Sequence, residues 1–91
     1  MAGNTSAAQP ESQAPVTWIE KTPGVCGGEA RIRRTRIPVW LLVEIRQGGG
    51  SDAEILVDYP LLTPADLAAA WEYYDRNRQE IEAAIARQQQ A

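Results

Sequence analysis

Between residues 38 and 64 the chain is punctuated so densely that only short helical segments fit. Pro38 suits the first position of a helix, because its φ is already helical and its missing N–H is one the helix would leave unpaired. The apolar-rich stretch VWLLVEIRQ follows and runs into Gly48-Gly49-Gly50, which stops it. Ser51, with Glu54 three residues on, has the spacing of a capping box, and the segment it opens must end before Pro60. Thr63, Pro64 and Asp66 make the clearest start in the chain: a cap, a proline at the first helical position and an acid in the first turn. Three helices are expected, at about 38–47, 52–58 and 64–88, the last long because no Gly or Pro interrupts it.

Upstream, Val16–Lys21 is β-prone and ends at Thr22-Pro23-Gly24, a turn. Val25-Cys26-Gly27-Gly28 continues the bend, and Ala30–Ile32 returns as a second strand, giving a hairpin over 16–36. The expected fold is mainly α: a three-helix winged or homeodomain-like helix-turn-helix with a small N-terminal β-hairpin and a long C-terminal helix. The domain is expected over 16–88. Residues 1–15, MAGNTSAAQPESQAP, carry no large apolar side chain after Met1 and are expected to be a disordered tail. They lack the basic start and apolar centre of a signal peptide, and no later apolar run approaches the ~20 residues that span a bilayer. A cytoplasmic, reducing setting is expected.

Composition narrows the function. The 91 residues include no His and one Cys. The commonest general base and the commonest metal ligand are therefore missing, and no internal disulfide or thiolate zinc site can form. Neither an enzyme nor a cofactor or metal site is expected; a small binding module is. Cys26 lies between turn residues with no His to activate it, so it reads as a packed turn residue. Gly48-Gly49-Gly50 lacks the Gly-Lys-Ser/Thr ending of a phosphate loop. Asp52, Glu54 and Asp58 match no established ligand spacing and read as a solvated face.

The net charge of -3 hides a polarised chain: residues 1–29 carry -2, residues 30–50 carry +4 and residues 51–91 carry -5. The positive block centres on RIRRTR, residues 31–36. Arg31, Arg33, Arg34 and Arg36, projecting outward while Ile32 and Ile37 anchor the segment, would contact the phosphates of duplex DNA. The alternative is that these arginines pair with the acidic half of the chain or of a second copy. On the third helix, Thr63, Ala65, Ala68, Ala69 and Tyr73 are candidates to face a groove, although Asp66, Glu72 and Asp75 repel phosphate and no Arg or Asn is aimed at bases. The same helix carries Leu67, Trp71, Tyr74, Arg78, Ile81 and Ile85 at spacings 4, 3, 4, 3, 4, a heptad seam interrupted by Arg78. Two short preceding helices leave Ile81 and Ile85 uncovered, so Trp71, Tyr74, Arg78, Ile81 and Ile85 are expected to bind a partner, a second copy or another protein. The alternative is that this helix folds onto the N-terminal hairpin.

The motifs Pro23–Gly28, Ile32–Val39 and Ile55–Thr63, in this order, resemble the bacterial domain of unknown function 433 family, over nearly all of residues 17–85. Members show a Pro-x-x-Cys-Gly-Gly turn, an Ile-x-x-Thr-Arg-Ile-Pro-Val core and an Ile-Leu-x-Asp-Tyr-Pro-x-Leu-Thr bridge into a long helix. Thr35 and Arg36 match the Thr-Arg, and Tyr59 and Pro60 the Tyr-Pro. Many members have Pro where this chain has Ala30, and Gly where it has Arg34. The resemblance implies a helix-turn-helix fold and the antitoxin half of a VapBC-like pair. Such a protein would bind a PIN-like ribonuclease toxin and repress its own operon. The expected partners are a second copy, a PIN-like toxin and operator duplex DNA. An adaptor that binds only protein is the alternative.

Overall fold

A computed structural model of the chain describes residues 18–90. The expected tail and the start of the expected first strand, Val16 and Thr17, lie outside the described residues. β1 (Ile19–Glu20) pairs antiparallel with β2 (Arg31–Ile32), Ile19 opposite Ile32 and Glu20 opposite Arg31. The connection bends at Thr22, whose carbonyl accepts from the Val25 N–H at 3.0 Å, and then forms a 3-10 turn, Cys26–Gly28. Gly27 and Gly28 hold φ of +66° and +80°, a pair of values that side chains bearing a Cβ rarely adopt.

After β2 the chain reverses a second time. The Ile32 N–H donates to the Ile37 carbonyl and the Val39 N–H to the Ala30 carbonyl, both at 2.9 Å. This tight loop delivers the chain into α1 (Val39–Gln47). Then come α2 (Asp52–Asp58), α3 (Pro64–Arg76) and α4 (Arg78–Gln90). The chain is thus mainly helical with a small N-terminal hairpin, as the punctuation predicts. Ser51 with Glu54 and Thr63 with Asp66 both close full capping boxes. A Cβ on Gly50 would sit 2.6 Å from Ile45 Cγ2, so only glycine lets α2 start so close behind α1.

α1 is the hub. Its Val39, Leu42 and Val43 are buried, and it packs against α2, α3 and α4. Ala30 and Ile32 from the hairpin, Ile55 from α2, Leu67 and Ala70 from α3, and Ile81 and Ile85 from α4 complete one core. Among the described residues no helix is long and apolar enough to cross a membrane.

Two expectations are corrected. The third helix is not continuous over 64–88: it breaks at Asn77, which has a φ of -137° and ψ of 43°. The Asn77 side-chain amide donates to the Tyr73 carbonyl at 3.0 Å, and its own carbonyl accepts from the Ile81 N–H at 3.1 Å. One residue thereby ends α3 and opens α4, satisfying backbone groups on both sides. The second correction follows from the first. Bent at Asn77, α4 lies on α1, and Tyr74, Ile81 and Ile85 are buried rather than standing in water for a partner.

Candidate nucleic-acid interface

The arginines of residues 31–36 divide into three environments. Arg31 points inward: its side chain is 10% exposed, Nη1 donates to Glu20 Oε1 at 2.7 Å and Nη2 to Thr22 Oγ1 at 3.0 Å. Its expected role as an outward phosphate ligand is corrected. Cross-strand pairing with Glu20 makes it a brace of the hairpin. Arg33 lies flat over the Trp18 ring, its guanidinium carbon 4.0 Å from the ring centroid. Arg34 and Arg36 are exposed.

Thr35 builds the turn that carries them. Its hydroxyl donates to the Ile32 carbonyl at 2.8 Å and accepts from the Ile37 N–H at 3.0 Å. Arg34 sits at the tip with φ +61°, the one positive φ outside glycine among the described residues. Its side chain makes no hydrogen bond or ion pair among the described residues.

This turn lies against the start of α3. Arg33, Arg34, Thr35, Leu61, Thr63 and Asp66 line one cleft of about 270 Å³. Thr63 and Ala65 are exposed, as groove-facing residues must be. Asp66 is buried and spent on the cap, accepting from the Thr63 N–H at 2.9 Å. Tyr73, the other expected groove residue, is half-buried and turned to the elbow between α3 and α4, where its hydroxyl donates to Glu80 at 2.8 Å. Lys21 reaches the same carboxylate at 3.0 Å. Burial, then the bond to Glu80, raises the Tyr73 pKa above 10.0, and the Glu80 bond raises that of Lys21 above 10.5. Tyr73 is therefore corrected from a groove contact to part of a tie between the hairpin and α4.

The expected partner-binding residues also part company. Trp71 is half-buried, stacked under Arg46 at 4.5 Å, with its indole N–H donating to Asp52 at 3.4 Å. Arg78 stays exposed, beside Asp75 at 3.5 Å and over the Tyr74 ring at 4.9 Å. Tyr74 donates to Glu82 at 2.7 Å, and that bond, with burial, raises its pKa above 10.0.

Sequence reading missed three residues near this surface. Trp18 supports Arg33. Glu29 accepts from Trp40 at 2.9 Å and pairs with Arg87 at 2.8 Å, binding the 3-10 turn to α1 and α4. Leu61 is 77% exposed on the rim of the arginine clefts. Only Leu61 had a signal, as an apolar residue after Tyr59-Pro60 in a turn; the other two depend on pairings distant in sequence.

Residues 19–74 match the family described as "Protein of unknown function (DUF433)". The chain belongs to the DUF433 family. A crystal structure of a DUF433 member from Anabaena variabilis ATCC 29413 is similar to it, at 59% sequence identity and a TM-score of 0.74, over 76% of this chain and 68% of that one. No functionally curated protein matches the chain. The family match covers the hairpin, the arginine turn and α1 to most of α3, but stops at Tyr74, before the break and α4.

Proposed function

We propose that this chain is a duplex-DNA-binding regulator of the antitoxin kind, which represses its own operon and neutralises a PIN-like ribonuclease toxin. The observation that carries the DNA-binding part is Arg34. A long cationic side chain holds a backbone conformation that costs a non-glycine residue about 1–2 kcal/mol, and it makes no ion pair among the described residues that would repay this. Strain kept without a structural return is the mark of a functional position. Arg33, Arg34 and Arg36 supply the phosphate contacts, and Thr63 and Ala65 the approach of α3 to the groove. Beyond its first turn α3 exposes Glu72 and Asp75, so base reading is confined to that turn.

The reading has a second face. Trp18, Ala65, Ala68, Ala69 and Trp71 line a shallow cleft of about 660 Å³ rimmed by Glu72 and Asp75. That acidic rim suits the basic RNA groove of a nuclease, and it also favours the second reading, a protein adaptor without a DNA role.

Fluorescence anisotropy with a duplex from the chain's own promoter, over a salt series, tests the proposal. Three phosphate contacts per chain give a slope of log K against log salt of about -2.7. Arg33→Glu with Arg34→Glu abolishes binding, while Arg76→Gln, in the last turn of α3 and paired with Glu72, leaves it. Absence of binding at low salt, with and without the neighbouring gene's product, overturns the DNA reading. A ribonuclease assay of that product, with and without this chain, decides the toxin.

A further inference from the structure

A large aliphatic side chain stands on the arginine surface. Leu61 is 77% exposed and lines both arginine clefts, the one of about 270 Å³ with Arg33, Arg34 and Thr63 and another of about 630 Å³ with Arg34, Arg36 and Ile37. Asp66, the acid of the smaller cleft, is spent on the α3 cap. The backbone holds Leu61 in place. The Leu62 N–H donates to the Tyr59 carbonyl at 2.9 Å, so Pro60 and Leu61 are the central pair of a turn. Pro60 fixes its own φ, Leu62 is buried in the core, and Thr63 opens the α3 capping box. Turn centres ordinarily carry Gly, Asn, Asp or Ser. Here a braced turn presents a leucine to solvent.

This setting does not suit a protein partner. A standard interface takes about 800 Å² from each side around an apolar centre. The exposed neighbours of Leu61 are Arg34, Arg36, Pro60 and Thr63, while Val25 and Ile37 are half-buried. Val57, the other exposed large aliphatic among the described residues, lines a different cleft, beside Glu54 and Asp58. A lone apolar tip flanked by guanidinium groups matches duplex DNA: the phosphates take the cations while the tip enters between stacked base pairs.

We propose that Leu61 is a wedge that enters one step of a DNA duplex, unstacks it and kinks the helix. The proposal rests on the duplex-binding reading above and adds to it a source of sequence preference. The first turn of α3, Pro64 to Leu67, contains no Arg, Asn or Gln, so direct reading of base edges there is thin. Unstacking is easiest at pyrimidine–purine steps such as TA and CA, so a wedge selects sites by deformability rather than by base edges. Arg33, Arg34 and Arg36 hold phosphates while the step opens.

The test uses the full chain and a duplex from its own promoter, with 2-aminopurine replacing adenine at each TA or CA step in turn. Anisotropy reports binding, and 2-aminopurine fluorescence reports unstacking. The wild type is expected to raise the fluorescence at the step it enters. Leu61→Ala, with its melt as the fold control, is expected to bind with an unchanged salt slope, because no phosphate contact is lost, and to give no rise. Leu61→Phe, a larger wedge, restores the rise. Replacing the opened step by AA weakens wild-type binding by about tenfold and leaves that of Leu61→Ala unchanged. Wild-type binding without a rise, or a rise that survives Leu61→Ala, overturns the wedge and leaves the arginine contacts standing. Equal loss in both proteins on replacing the step does the same. Absence of binding by the wild type and Leu61→Ala alike overturns both readings. A dimer lost in Leu61→Ala with its duplex response intact overturns the wedge by assigning the leucine to a second copy.

Discussion

Arg34 is where residue chemistry and backbone geometry disagree. A left-handed conformation is free to glycine and costs arginine about 1–2 kcal/mol, while glycine loses part of that advantage through its looser unfolded chain. Arg34→Gly is therefore expected to stabilise the fold by about 0.5–1 kcal/mol in a thermal or denaturant melt. The same variant weakens duplex binding, if the proposed function holds. A melt that is unchanged or lowered removes the claim that Arg34 is strained. Arg31, two positions from Arg33, has the opposite character. Its charge is buried against Glu20, so loss of Glu20 leaves an unpaired buried cation. Four arginines in six residues look alike in sequence. What separates them is the cross-strand pairing with Glu20, which holds Arg31 inward, and a turn tip that turns Arg34 out.

At the scale of elements the decisive question is what covers α4. Ile81 is 2% exposed among α1 core residues, so Ile81→Ala is expected to cost about 2–4 kcal/mol by urea denaturation. A cost under about 0.5 kcal/mol is what a surface position gives, and that result restores the exposed stripe. The ties between hairpin, α3 and α4 add a pH signature. Lys21, Tyr73 and Tyr74 all hold their protons more tightly when folded, above 10.5 for the lysine and 10.0 for the tyrosines. Their contribution is fully present below the unfolded values and is lost as pH rises through the raised folded ones. Stability is expected to be level towards neutral pH and to fall above about pH 10; Tyr73→Phe, which lacks the ionising hydroxyl, softens the fall. The starts of α2 and α3 were legible because caps and prolines act locally, through backbone groups within three residues. The break at Asn77 was not read, although Asn77-Arg78-Gln79-Glu80 repeats the spacing of Ser51 with Glu54 and Thr63 with Asp66. The heptad seam outweighed it, because periodicity reports which residues share a face and is silent on whether the axis bends. The fate of Ile81 and Ile85 followed from that one residue.

For the whole molecule, the core is one cluster with α1 at its centre, and this sets how the chain fails. A domain this small has a stability of about 5 kcal/mol. Leu42 is fully buried on the helix that touches the three others, so Leu42→Ala is expected to cost about 3–5 kcal/mol, most of that margin. Loss is shared by every element at once, because none of the helices has a second core to fall back on. The near-ultraviolet signal of the tryptophans, two of them set on α1 and α3 and one beside the hairpin, should therefore vanish in one transition near room temperature. Leu61→Ala is the matched control: the same atoms are removed from a side chain that is 77% exposed, and the melt should move by less than about 0.5 kcal/mol. Two separate transitions in the Leu42→Ala melt, with α4 lost before α1 to α3, would show that α4 is only loosely held by the chain it belongs to.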